Sequence, residues 1–323
     1  LHGVRNAATQ AVVIDVANEI SPEGGSARHA AVRLGLIGAG PAGRRRVDQI
    51  MAETGVRLAM VHDLDPAASQ ACADHTGASR AIDAADLLGA CNAVVIATPL
   101  GARADLVAAA LDRGCSVLAE GLPAAGRAQL DALYGKARAG AARLVAGRAD
   151  PAAMALALSA RESDAPRLIE VARSSPSSQR RSDVGVCLDL MVDDIEAVCA
   201  LMRQPPVEVR ASVSAGRGER ADAIEATVRF RGGGLARLRA SRLGAERSHT
   251  FRITTRDVVI DADLVTGALK GGPPDLKASA GRLAEDISDA RALLADAAPD
   301  RPHAWAAMLL ALQIEGVCRA QAL

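Results

Sequence analysis

The sequence predicts an α/β domain with a parallel sheet, followed by an α+β domain with a mostly antiparallel sheet. Three observations carry this. Between Val32 and Gly147 short apolar runs alternate with helical stretches, a glycine-rich string joins the first run to the first helix, and beyond Gly147 apolar residues recur with period two. With 323 residues, 50% of them apolar, the chain can fill two such cores.

Taken in order, residues 1–30 read as an N-terminal extension that ends in the breaker cluster Ser21-Pro22-Glu23-Gly24-Gly25-Ser26. The first domain is placed at 31–147 and the second at 148–323. In the first, strands are expected at Arg33 to Ile37, Arg57 to His62, Ala93 to Ala97 and Ser116 to Ala119. Helices are expected near Ala42 to Glu53, Pro66 to Thr76 and Arg103 to Arg113. A βαβ series of this kind gives a parallel sheet.

After Gly147 a helix is expected from Pro151 to Arg161, then a Ser/Arg-rich link from Arg173 to Arg181 and a helix from Asp189 to Met202. Strands follow at Val207 to Ser214, Ala223 to Phe230, Leu235 to Ser241, His249 to Thr254 and Val258 to Ala262, and a last helix runs from His303 to Ala320. The Gly232-Gly233-Gly234 run reads as a hairpin turn. Along Ala223 to Phe230 one side is apolar, while Glu225, Thr227, Arg229 and Arg231 share the other. That polar face is either solvated or a charged interface between copies in a homo-oligomer.

Gly38-Ala39-Gly40-Pro41-Ala42-Gly43 is a G-x-G-x-x-G string that directly follows the apolar strand Leu34-Gly35-Leu36-Ile37 and opens a helix. Gly38 permits the tight turn, Gly40 lets a pyrophosphate approach the backbone, and Gly43 allows close helix packing. Pro41 and Ala42 begin the helix, whose N-terminus supplies partial positive charge. An acid, Asp63, ends the next strand 20 residues past Gly43 (63 minus 43). Together these mark residues 31–147 as a dinucleotide-binding Rossmann domain. Asp63 accepts ribose hydroxyls and repels a 2′-phosphate, which favours NAD over NADP. Thr98-Pro99 follows the strand Ala93 to Ala97, where backbone groups line the nicotinamide side of the crevice.

Composition excludes several classes. The 38 basic and 38 acidic residues cancel, so no general field draws nucleic acid or an anionic membrane surface. No apolar run approaches the roughly 18 residues of a membrane helix. No secretory leader can be read, and a cytoplasmic protein is expected. The six cysteines form no C-x-x-C pair and read as reduced, buried thiols rather than disulfides or a metal site. Four aromatics in the whole chain leave no sugar-stacking platform.

Beyond the glycine string, the sequence resembles the Gfo/Idh/MocA family of nicotinamide-dependent oxidoreductases over Val32 to Leu323. The resemblance rests on V-R-L-G-L-I-G-A-G at Val32 to Gly40, Asp63, A-V-V-I-A-T-P at Ala93 to Pro99 and G-C-S-V-L-A-E at Gly114 to Glu120. R-A-D-P at Arg148 to Pro151 and D-L-M-V-D-D-I-E at Asp189 to Glu196 complete it. It implies hydride transfer at a hydroxyl carbon of a sugar or nucleotide sugar, and its last segment is most similar to members acting on nucleotide-linked amino sugars. It also implies that Glu120 belongs to the cofactor site and that Asp189 and Asp193 are catalytic. Where the family carries E-K-P, this chain has Glu120-Gly121-Leu122-Pro123. Where it carries D-x-x-x-H, Asp193 stands in the histidine position; Glu196 replaces a later acid, and Arg103 a histidine after T-P.

Oxidising a hydroxyl requires a proton acceptor, and an ordinary aspartate with a pKa of about 4 is a poor one. On a continuous helix Asp189, Asp193 and Glu196 fall at i, i+4 and i+7, a stack of carboxylates in which like charge raises at least one pKa. Alternatively the stripe is solvated, or neutralised by Arg148, Arg173, Arg180 or Arg181. The sequence thus predicts a dehydrogenase using Asp193 as base and Asp189 to orient it, or a catalytically inactive relative that keeps the cofactor. An assembly subunit acting through its arginine-rich sheet face is a third reading.

Overall fold

A computed structural model describes residues 11–13, 32–140, 142–147, 153, 156–157, 160, 164–176, 184–217, 220–272 and 302–322. Most of the helix expected over Pro151 to Arg161, and Arg148, Arg180 and Arg181, lie outside the described residues. The chain divides into two compact units. One contains residues 32–147. The other contains β1 (Ala11–Val13) and the described residues from 153 to 272 and 302 to 322.

In the first unit the order is β2 (Leu34–Ile37), α1 (Pro41–Thr54), β3 (Leu58–His62), α2 (Pro66–Thr76), β4 (Ser79–Arg80), α3 (Ala84–Ala90), β5 (Ala93–Ile96), α4 (Leu100–Asp112), β6 (Ser116–Glu120), α5 (Arg127–Ala139) and β7 (Leu144–Gly147). The six strands are parallel in the order β4-β3-β2-β5-β6-β7. The expected strands and helices are present within a few residues; β4, α3, α5 and β7 are additional. Every residue of β2 and β5 is buried, as a sheet covered on both faces requires. Leu34, Leu36 and Val95 join Val47 and Ile50 of α1 and Cys72 of α2 on one face. Ile37, Val94 and Ile96 join Leu87 of α3, Val107 of α4 and Leu133 of α5 on the other. The order reverses between β2 and β5, which places a crevice beyond their carboxyl ends.

The second unit continues with β8 (Leu168–Ser174), a single π-helical turn (Cys187–Met191), α6 (Val192–Met202), β9 (Pro206–Arg217), β10 (Arg220–Phe230), β11 (Leu235–Ser241), β12 (Ser248–Thr254), β13 (Val259–Asp263), β14 (Ala268–Lys270) and α7 (Pro302–Ala322). Its eight strands run in the order β1-β9-β10-β11-β8-β12-β13-β14, and only β11 with β8 is parallel. β8 begins upstream of the expected Ser/Arg-rich link and puts Arg173 in a central strand. The glycine run closes the β10–β11 hairpin, with Gly232 at φ 91° and Gly233 at φ 88°, values that suit glycine. β1 was not foreseen: it pairs antiparallel with β9, Val12 opposite Val209, and forms one edge of the sheet.

Val209, Ile224, Val228, Leu238, Phe251 and Ile253 fill the buried face, against which α7 packs along α6, β9 and β10. The opposite face carries cross-strand ion pairs, Arg239 with Glu225 at 2.9 Å and Arg252 with Asp261 at 3.4 Å. Arg229 and Arg210 both bond Glu208, and the bond from Arg210, then that from Arg229, holds its carboxyl below the usual range.

Candidate active site

The glycine string forms a cradle whose three glycines do different work. Gly38 has φ 98°, and a Cβ there would come within 2.8 Å of the Ala97 carbonyl. Its N–H donates to His62 O at 2.9 Å, tying the turn to the end of β3. A Cβ on Gly43 would fall on the carbonyl oxygen of Gly38, which is what lets α1 sit tightly on β2. In front of Gly40 there is open space, with no atom within 4 Å of a Cβ built there.

Gly40 caps α1 without a side-chain hydrogen bond, and Pro41 opens the helix. The first N–H groups of a helix lack intrahelical acceptors, so the start of α1 offers backbone donors to a ligand at this cradle. Asp63 is half-buried beside the cradle. Its Oδ2 accepts from Ala39 N at 2.6 Å and its Oδ1 from Asp65 N at 2.8 Å, so backbone donors orient the carboxylate from both sides.

Thr98 and Pro99 lie where β5 gives way to α4, with Pro99 as its N-cap. The Thr98 hydroxyl oxygen is buried with no protein hydrogen-bond partner. Its carbonyl accepts from Arg103 Nε at 3.2 Å and Nη2 at 2.5 Å, while Arg103 Nη1 donates to Leu122 O at 2.6 Å. A buried guanidinium therefore bridges the loops after β5 and β6. It stands 3.4 Å from where a Cβ of Gly121 would be. Glu120 ends β6 in a buried ion pair with α1: Oε2 to Arg46 Nε at 2.8 Å and Oε1 to Arg46 Nη2 at 3.3 Å, with Arg45 farther out at 3.5 Å.

An open cradle, uncapped helix N–H groups, an oriented carboxylate and an orphaned buried hydroxyl fit a dinucleotide stretched across the strand ends.

In the second unit Asp189 lies within the π-helical turn, and Asp193 and Glu196 lie on α6. The wider turn changes the phase of Asp189 relative to Asp193 and Glu196 from that of a continuous α-helix. Asp189 Oδ2 faces Arg242 Nε at 3.0 Å, a partner the sequence reading did not consider. Arg173 approaches Asp194, at 3.7 Å, where His249 Nε2 is only 2.7 Å from the same oxygen. Asp193 is half-buried and Glu196 buried.

Asp194, His249 and Arg242 were missed by sequence reasoning. One signal for His249 existed: it shares the inward phase of β12 with Phe251 and Ile253, and a polar residue there requires a buried partner. No local signal marks Arg242. All six cysteines are buried and unbridged, as expected. Among the described residues no helix is long and apolar enough to cross a membrane.

The model of the oxidoreductase family with an NAD-binding Rossmann fold matches residues 32–147, and that of the GFO/IDH/MocA C-terminal domain matches 161–260. UDP-N-acetylglucosamine 3-dehydrogenase from Acidithiobacillus ferrooxidans is 30% identical over 241 residues, 74% of this chain and 76% of that protein. The chain belongs to the Gfo/Idh/MocA oxidoreductase family. A solved structure of the Acidithiobacillus enzyme matches this Gfo/Idh/MocA chain with a TM-score of 0.71 at 25% identity, covering 90% of this chain and 99% of that one. The WlbA dehydrogenase from Bordetella pertussis, solved with NADH and UDP-GlcNAcA, matches with a TM-score of 0.72 at 18% identity over 87% of this chain and 94% of its own, a likeness of fold. The family assignment makes the first unit an NAD-binding Rossmann domain.

Proposed function

We propose that this chain is an NAD-dependent dehydrogenase that takes a hydride from a hydroxyl-bearing carbon of a sugar or nucleotide sugar. The observation that carries the reading is the 30% identity over 241 residues to a UDP-N-acetylglucosamine 3-dehydrogenase. Residues 31–147 are the cofactor domain and 148–323 the substrate and oligomerisation domain. The protein works in the cytoplasm as a homo-oligomer, with the charged sheet face turned to a second copy.

Bound NAD supplies the hydride acceptor. The N–H groups of Ala42 and Gly43 at the start of α1 would hold its pyrophosphate, past the open space at Gly40. Asp63 takes the ribose hydroxyls and opposes a 2′-phosphate. Leu64 and Ile82, 94% and 90% exposed just past β3 and β4, give an apolar ledge for the adenine. At the ends of β5 and β6, Thr98, Pro99 and Glu120 would bound the nicotinamide half of the cofactor. In that oxidation the Asp193 carboxylate would take the hydroxyl proton, while Asp189 would orient the hydroxyl.

A second reading, a relative that holds cofactor or sugar in a regulatory or structural role without turnover, is favoured by Gly121, which stands where the resemblance implies a lysine. Binding of NADH and NADPH, followed by NAD reduction with UDP-N-acetylglucosamine and a panel of sugars, separates the two. Turnover that Asp193→Asn abolishes supports the dehydrogenase. NADH binding without turnover supports the second reading, and no binding of either cofactor sinks the dehydrogenase.

A further inference from the structure

Arg242 and Asp189 form an ion pair just before the acid-bearing helix, held from the end of a strand. Arg242 is the first residue past β11, and its N–H donates to Asp222 O at 2.7 Å, continuing the β10–β11 ladder. The sheet thereby fixes its backbone. Its side chain, 5% exposed, reaches Asp189 Oδ2 through Nε at 3.0 Å and Val184 O through Nη2 at 2.8 Å. One planar guanidinium thus holds both the acid and the backbone that leads into its turn.

The same segment is backed from another side. A Cβ on Gly185 would collide with the Glu315 carboxylate of α7, and Asp189 N donates to Gly185 O at 3.2 Å. Segment 184–189 is therefore held between a strand end and a helix. Asp189 keeps 13% of its side chain exposed, so the pair lies at the edge of the core rather than inside it. The wide π-helical turn, a distortion that recurs at functional sites, sets the acid at this place.

We infer that Arg242 is a positioning residue of the proposed reaction, which fixes Asp189 as a directed hydrogen-bond acceptor for the substrate hydroxyl and leaves the proton transfer to Asp193. The inference rests on the dehydrogenase reading above. A guanidinium does not titrate in the working range and presents its donors in a rigid fork, so the acceptor facing it keeps one direction. An ammonium on a flexible stem does not reproduce both contacts.

The test uses the full chain with Arg242→Lys, Arg242→Met, Asp189→Asn and the double variant Arg242→Met with Asp189→Asn. NADH affinity, kcat and KM with UDP-N-acetylglucosamine, and urea unfolding are measured for each. NADH affinity stays within about twofold in all of them, since the cradle lies in the other unit. In Arg242→Met kcat falls about 100-fold, in Arg242→Lys about 10-fold, and KM moves less than either. The double variant regains the stability lost in Arg242→Met, because both charges are gone, yet its kcat stays at the Asp189→Asn level.

A double variant that regains wild-type kcat overturns the inference and makes the pair purely structural, as does an unchanged kcat in Arg242→Met. Wild-type protein that binds NADH but oxidises no sugar in the panel overturns the dehydrogenase reading, and this role for Arg242 with it.

Discussion

His249 on β12 and Asp194 on α6 share a hydrogen bond of 2.7 Å between side chains 5% and 2% exposed. Helix and sheet are therefore joined through the core by a buried polar contact. Removing the imidazole leaves a buried carboxylate short of one donor, with Arg173 at 3.7 Å as partial compensation. His249→Ala is expected to cost about 1.5–3 kcal/mol in urea unfolding. Replacing both residues by leucine costs less than His249→Ala alone; the reverse order would show that the contact does not govern this packing.

The glycine cradle separates packing from binding. Gly43→Ala places a methyl on the Gly38 carbonyl and is expected to destabilise the first unit by about 1–3 kcal/mol and to abolish NADH binding. Gly40→Ala meets no protein atom within 4 Å, so stability changes by no more than about 0.5 kcal/mol. NADH affinity nevertheless falls at least about tenfold, because the methyl enters the space meant for pyrophosphate. Calorimetric binding beside thermal unfolding checks both halves.

Asp63→Ala is expected to weaken NADH binding by about 1.4 kcal/mol, a factor of ten. NADPH loses less or gains, since the charge that opposes a 2′-phosphate is removed. The ratio of the two affinities is the quantity to measure. Leu64→Ser with Ile82→Ser weakens NADH and NADPH equally if these side chains carry the adenine.

The thiols are expected to be inert in the folded protein. Burial pushes Cys91 up to about 11, with Cys115 adding to it. Burial, then Glu196, takes Cys199 to about 12, and burial, then Glu315, does the same for Cys318. Burial also raises Cys72, Cys115 and Cys187. The thiolate is the reactive form, and at pH 7.5 a thiol at 11 is ionised at less than about one part in a thousand. Iodoacetamide should modify none of the six until denaturant is added, when all six react; rapid labelling of any one in native protein contradicts its burial.

The first unit was legible because its signals are local. The run Leu34 to Ile37, the string Gly38 to Gly43 and the acid at Asp63 lie within 30 residues (63 minus 34, inclusive), and each expresses a single turn, strand or strand end. β8 was not legible in the same way. Its Ile169 and Val171 alternate correctly, but its partners are β11 and β12, more than 60 residues on, and a Ser/Arg-rich stretch follows it directly. The acids of the candidate site were visible by type and spacing. Their partners were not, because Arg242, which meets Asp189, stands at a strand end 53 residues away. The π-helical turn leaves no mark in the apolar pattern either, since Cys187, Leu188, Leu190 and Met191 are buried on either side of Asp189.

The pairing of Val12 with Val209 has a consequence for how the protein is made. The two residues are 197 positions apart (209 minus 12), and the whole six-stranded sheet is encoded between them. At about 5–20 residues per second, a ribosome needs roughly ten to forty seconds to supply the partner strand. The nucleotide-binding unit can fold in that interval, while the edge strand made before it has no ladder to join. The eight-stranded sheet thus closes late and against the direction of synthesis, and nascent chains stalled before residue 209 would offer β1 to chaperones while already able to bind NAD.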